Sequence, residues 1–402
     1  MTFELHDSSS MSRTNFWIVI WTLTVWTVLA NLVLFPTEIR GQDFSPAPAL
    51  EPGVPPALPP VPVPASIPDG PAAGPPLPTL TPGFGSCDTP DYWIVSSREA
   101  VQHRLKRRED WTLDVFHRHV GGQTVRTSMA DLSGQMAPGV PVLICIHGSF
   151  VDWNSNFKES AEAYQWIRRA APHLPIQVIF FSWPSEGPYT RITPIDVAIN
   201  GERAEFNGFH LAQLISGLPE SCPVSLIGHS HGCRVILSTL HIAGGGEIQN
   251  LCYRYSLGAS RRYRAVLAAA AVDHNWLNPG QRYDRALSRC EGMLNLINRD
   301  DMAIFVYPLH RPGAQRALAR IGLTDRDYRQ LGATACRLSN LDVTQLVGQN
   351  HLWPGYYSCP RIATSIVPYV YFADGNTTAM LDPVSSAPPV EPTQPEELIP
   401  LR

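Results

Sequence analysis

Val224-Ser225-Leu226-Ile227-Gly228-His229-Ser230-His231-Gly232 is the stretch on which the reading of this chain turns. A short apolar run, Val224 to Ile227, ends in a G-x-S-x-G pattern, and a helix-forming stretch from Cys233 to Ala243 follows it. With Gly and Ser each near 7% of residues, the bare pattern arises by chance in about one chain in ten of this length. Strand, turn and helix in this order are what the chemistry requires. The serine sits at a sharp turn that lifts its hydroxyl above the sheet. The flanking glycines leave room where a Cβ would collide. The helix start supplies N–H groups and a positive dipole end where a negative oxygen would develop. Ser230 is therefore the candidate nucleophile, and the backbone N–H of His231 a candidate oxyanion donor. The bland alternative is an ordinary Gly-rich turn. No carboxylate lies close in sequence to His229 and His231, and Cys233 reads as a small buried residue, so no metal site is expected.

Outward from this turn, apolar runs alternate with longer mixed segments. Strands are expected at 140–146, 176–182, 224–227, 263–270 and 293–297, with helices at 157–171, 195–216 and 233–243. Continuous apolar strands separated by helices imply a mostly parallel sheet covered on both faces. In such sheets the site lies off the C-terminal strand ends. A serine hydroxyl needs a base to take its proton and a carboxylate to orient that base. Behind a nucleophile turn of this kind, the acid and then the histidine follow the serine along the chain. Asp300 and Asp301 fall just past the 293–297 strand; Asp301 is preferred, with Asp273 in reserve. His351, late in the chain, is the best base, with His310 as its rival. His147-Gly148-Ser149 follows the first strong strand, which makes the Ser149 N–H the second oxyanion donor, with Phe150 as fallback. His147 itself reads as a structural hydrogen-bonding group.

Several of these segments together resemble a known family. His147-Gly148, Phe181-Ser182-Trp183-Pro184-Ser185 with Gly187, Tyr189, Asp196, His229-Ser230-x-Gly232 and Asn298-Arg299-x-Asp301 are similar to a bacterial α/β-hydrolase group long catalogued as a domain of unknown function. The resemblance spans roughly residues 140 to 355. It implies the α/β-hydrolase fold and gives Ser230, Asp301 and His351 the triad roles. The group usually carries Met after the nucleophile; His231 stands there instead, which bears on the polarity of the pocket and not on the turn. Trp183 and Tyr189 are pocket candidates, with core packing the equal alternative for Trp183.

The rest of the chain sets the context. Of its 402 residues, 38 are Pro, and 15 of those lie between residues 46 and 82. Such a stretch cannot form helix or central strand and extends as polyproline II, to roughly 110 Å if straight. Before it, Phe16 to Phe35 is 20 residues without a charge. As a helix that reaches about 30 Å, the thickness of a hydrocarbon core. A single uncleaved anchor is expected, with a cleaved signal peptide as the rival. The domain plan is thus an N-terminal tail (1–15), an anchor (16–35), a disordered Pro-rich linker (36–83), the α/β-hydrolase domain (84–378) and a disordered tail (379–402). Arg13 and Arg40 nearly balance across the span. The stiff linker favours a single-pass membrane protein with its hydrolase domain on the extracytoplasmic side.

Thirty-one basic and 35 acidic residues give a net charge of −4, which argues against nucleic acid as partner. The basic run from His103 to Arg108 reads as a solvated helix face. Of the eight cysteines no two form a CxxC pair, and Cys145 and Cys233 read as small buried residues. The function expected is hydrolysis of a small-molecule or lipid acyl ester, without cofactor. The alternatives are a catalytically idle envelope scaffold or binding module, and acyl transfer to an acceptor other than water.

Overall fold

The computed structural model describes residues 91–372, apart from 103–111, 120–121, 191–192 and 254–255. These residues belong to a unit that begins at Pro82. The expected anchor, the Pro-rich linker, the basic run at 103–108 and the C-terminal tail lie outside the described residues. Among the described residues, no helix is long and apolar enough to cross a membrane.

Among the described residues, nine of eleven strands make one sheet. In chain order the eleven are β1 (Tyr92–Ser96), β2 (Asp114–Arg118), β3 (Thr124–Thr127), β4 (Val142–Ile146), β5 (Gln177–Ser182), β6 (Val224–His229), β7 (Glu247–Ile248), β8 (Leu251–Cys252), β9 (Tyr263–Ala268), β10 (Gly292–Ile297) and β11 (Leu338–Asp342). The sheet order is β11-β10-β9-β6-β4-β5-β1-β2-β3, while β7 and β8 form a separate two-stranded hairpin. From β11 to β1 every neighbouring pair is parallel, and β2 and β3 add antiparallel strands at one edge. The central strands read as apolar runs because both their faces are covered. Every residue of β4 and β6 is buried. Each such Val, Leu or Ile contributes about 1.5–3 kcal/mol through the apolar surface it removes from water.

The helices that matter for the site are α1 (Met129–Gln135), α2 (Trp153–Ala170), α3 (Thr193–Ser216), α4 (Gly232–Ala243), α5 (Met302–Val306) and α6 (Pro360–Tyr371). The β4–α2–β5 and β5–α3–β6 crossovers run in opposite directions across the sheet. Right-handed crossovers therefore put α2 and α3 on opposite faces. In keeping with this, α3 packs on α4 and α2 packs on α6. The α3–α4 approach is close: a Cβ at Gly208 would stand 2.2 Å from Ser238 Oγ. The buried hydroxyls there are satisfied, with Ser238 Oγ donating to Glu205 O at 2.7 Å and Thr239 Oγ1 to Val235 O at 2.8 Å. All of α4 from Gly232 to Ile242 is buried. The helix behind Ser230 is thus fixed on every side.

The direction of winding reverses between β4 and β6. That is the switch point where open α/β sheets leave a crevice beyond the strand ends. Ser230 follows β6 and Ser149 follows β4, so the two come together across this crevice.

Candidate active site

Ser230 adopts φ +53°, the left-handed region that non-glycine residues rarely enter. Such a conformation costs about 1–3 kcal/mol and persists because its surroundings over-determine it. Here the Ser230 N–H donates to Ala268 O at 2.9 Å, and Cys233 N–H donates back to Ser230 O at 3.1 Å. A Cβ at Gly232 would lie 2.5 Å from Ile146 O and 2.6 Å from His147 O, so only glycine lets α4 start this close to β4.

Three side chains from distant parts of the chain stand in series. His351 Nε2 is 3.1 Å from Ser230 Oγ, and His351 Nδ1 is 2.7 Å from Asp301 Oδ2. The carboxylate can only accept, so Nδ1 carries the hydrogen and Nε2 faces the serine hydroxyl as an acceptor. Asp301 is fully buried, and its other oxygen accepts Ile304 N–H at 3.0 Å as the N-cap of α5. That cap fixes the carboxylate and lends it the positive end of the helix. Asp300 is exposed. The reserve acid, Asp273, takes Tyr307 Oη–H at 2.7 Å, Arg311 Nη2 at 2.5 Å and Gln315 N–H at 2.9 Å. His310 turns its Nδ1 to Tyr307 O at 2.5 Å and its Nε2 to Arg234 at 3.3 Å. Neither of these alternatives joins the Ser230 series.

The loop that carries His351 is held by two side chains. His229 Nε2 donates to the His351 carbonyl at 2.6 Å, and Asn298 Nδ2 donates to Gly348 O at 2.8 Å. The His229 ring lies 5.1 Å from the His351 ring and 5.6 Å from Trp353. Burial, and then the neighbouring His351, hold His229 well below the usual imidazole range, so it stays neutral.

The other wall of the crevice is the loop after β4. Among the described residues, neither Ser149 N–H nor His231 N–H has a protein acceptor, whereas Phe150 N–H is taken by Ser185 O at 2.6 Å. Of the two candidates on this loop, Ser149 is therefore the one with an N–H left for a ligand. Ser149 Oγ also meets His231 Nδ1 at 2.6 Å, which ties the two donor residues to each other. Burial first, then Arg234 and His310, push His231 well below the imidazole range.

His147 supports this wall. The Trp183 backbone N–H donates to His147 Nε2 at 3.2 Å, so His147 Nδ1 carries the hydrogen and meets Gly148 O at 2.8 Å. Burial, reinforced by Arg98, lowers His147 to about 3. Trp183 does not line an open pocket: it is fully buried, its Nε1–H donates to His147 O at 2.9 Å, and its ring stacks on His147. Tyr189 is partly exposed, with its hydroxyl on Asn200 Oδ1 at 3.2 Å and Arg203 over its ring. Ser185 Oγ donates to Val151 O at 3.1 Å.

No motif marks Arg98 in the sequence. It follows β1, donates to Ser182 Oγ at 2.7 Å and to Val151 O at 2.9 Å, and pairs with Glu186. The apolar run Tyr92–Val95 just before it was the available signal. Among the described residues no cluster of His, Cys, Asp or Glu has the geometry of a metal site. Cys145 and Cys233 are buried thiols, pushed up by burial.

An α/β fold with a serine on the turn after its central strand defines a hydrolase-like class. The chain belongs to the family described as "Alpha/beta hydrolase of unknown function (DUF900)", whose model matches residues 129–361. No curated protein matches the chain. Among solved structures, an azoreductase from Bacillus anthracis str. Sterne is similar over 56% of this chain and 99% of its own. Its identity is 9% and its TM-score 0.20, too low a score for any conclusion.

Proposed function

We propose that this chain is a serine hydrolase of acyl esters, with Ser230 as nucleophile, His351 as general base and acid, and Asp301 as the carboxylate that orients it. The observation that carries the reading is the unbroken series Ser230–His351–Asp301, at 3.1 and 2.7 Å, on a strained turn at the switch point of the sheet.

As Ser230 Oγ attacks the ester carbonyl, His351 Nε2 takes its proton, and Asp301 stabilises the imidazolium that forms. The carbonyl oxygen becomes an oxyanion, received by the backbone N–H groups of Ser149 and His231; a donor of this kind is worth about 10²–10³ in rate. His351 passes the proton to the leaving alkoxide, and an acyl-Ser230 remains. Water, deprotonated by His351, then attacks the acyl carbon, releasing the acid and restoring the hydroxyl. These steps use only the chain's own groups and water. Phe16–Phe35 supports a single membrane anchor, and the Pro-rich stretch after it supports a hydrolase domain tethered on the extracytoplasmic side.

Labelling of the full chain by a fluorophosphonate probe tests the reading. Wild type should label, and Ser230→Ala should not. A folded wild type that fails to label would make the chain a binding or scaffold module on a hydrolase fold.

A further inference from the structure

Large apolar side chains are exposed at ten described positions, and all but Val125, which lies in β3, stand on connections between strands of the sheet or after its last strand. Several are chain neighbours of the site itself. Leu352, 67% exposed, follows His351; Met302 follows Asp301; Phe150, 49% exposed, follows Ser149. Met302, Phe305 and Leu309 recur at helical spacing beyond Asp301, with Phe305 54% exposed. Tyr189 completes the rim beyond β5. Scattered exposed apolar residues are normal, but a set gathered at one functional edge calls for an occupant.

We infer that this rim rests on a lipid surface, and that the ester reaching Ser230 is a long-chain acyl ester presented there. The inference rests on the serine-hydrolase reading above. Two observations favour lipid over a second copy of the chain or a peptide. First, Phe150, Met302 and Leu352 each directly follow a residue of the proposed site, so whatever covers them also meets the substrate. Second, a 20-residue uncharged apolar segment lies at residues 16–35, joined to β1 by a chain long enough to let the rim meet a membrane in which that segment is held. The rim chemistry also suits a lipid–water boundary. Arg203 lies 4.3 Å over the Tyr189 ring and Arg320 4.7 Å over Phe305, which pairs rings with cations able to meet headgroup phosphates.

The test uses the full chain in phosphatidylcholine vesicles carrying a fluorogenic oleate ester, against the butyrate ester of the same fluorophore free in solution. Wild type should hydrolyse both. The combined variant Met302→Gln, Phe305→Gln, Leu352→Gln should lose at least tenfold on the vesicle ester. It should keep butyrate hydrolysis and fluorophosphonate labelling within about twofold. Both proteins keep residues 16–35, so the difference reports the rim alone. Equal rates on the vesicle ester, or a wild type active on butyrate and inert on vesicles, overturn the inference. So does a variant that keeps vesicle hydrolysis but sediments at half the wild-type mass, which would make the rim a surface between copies. If the triple variant unfolds, Phe305→Gln alone repeats the comparison. No labelling and no turnover of either ester by wild type is a distinct result, and defeats the hydrolase reading itself.

Discussion

The two walls of the crevice around Ser230 are braced by its two flanking histidines, but in different ways. On the side of the proposed base, His229 reaches across 122 residues of chain to hold a backbone carbonyl, at His351. On the side of the proposed oxyanion donors, His231 is tied to the Ser149 hydroxyl, and behind that loop His147 links Gly148 to Trp183. The base side thus depends on one long loop being held at a few points. The oxyanion side depends on a packed cluster whose imidazoles must stay neutral. A perturbation of the first should appear as lost positioning, and of the second as acid sensitivity.

The largest effect is expected on the base side. Asp301→Asn is nearly isosteric and can keep the N-cap bond to Ile304, but its amide no longer selects the His351 tautomer that accepts the serine proton. The kcat on a soluble ester should fall by about 10³–10⁴. A loss under tenfold would remove Asp301 from the series. His229→Phe comes next. It preserves a ring against Trp353 and Tyr356 and removes only the bond to the His351 carbonyl. Misplacement of a catalytic group by about 1 Å costs on the order of 10²-fold, so kcat should fall by about 10–100-fold with KM little changed. If kcat stays within twofold of wild type, the base loop is held without His229 and the contrast between the walls disappears.

The parallel centre of the sheet was legible because strands buried on both faces leave unbroken apolar runs. The runs at 140–146, 176–182, 224–227, 263–270 and 293–297 coincide with β4, β5, β6, β9 and β10. The edges were not legible. In β11, Leu338-Ser339-Asn340-Leu341-Asp342 is largely exposed and carries no apolar signal. In β1, Tyr92–Ser96 is fully buried, yet it sits where the Pro-rich composition has only just ended and no helix precedes it to mark an alternation. Within the site, Ser230 was readable from its turn and Asp301 from its position past β10. The brace by His229 had no sequence signature, because a backbone carbonyl at residue 351 looks like any other. Trp183 was ambiguous for a related reason: composition does not tell a ring that lines a pocket from one that seals it.

The smallest expected effect bears on the oxyanion side. His147 titrates near 3 in the folded chain, against about 6.5 when unfolded, because burial and Arg98 disfavour its charge. Below about pH 6.5 the unfolded chain therefore binds a proton at this residue that the native chain does not. The stability that comes from keeping His147 neutral is complete above pH 6.5 and is lost as pH falls toward 3. Between pH 6.5 and 5.5 this one residue should cost about 1 kcal/mol of unfolding free energy. His229, His231 and His310 are also depressed and add to the slope with the same sign. Urea unfolding of wild type and His147→Gln at the two pH values separates its share. The variant should be less stable at neutral pH but lose about 1 kcal/mol less on acidification. An unchanged slope would mean that His147 is already free to protonate in the native chain. The oxyanion wall would then not depend on a neutral imidazole at residue 147.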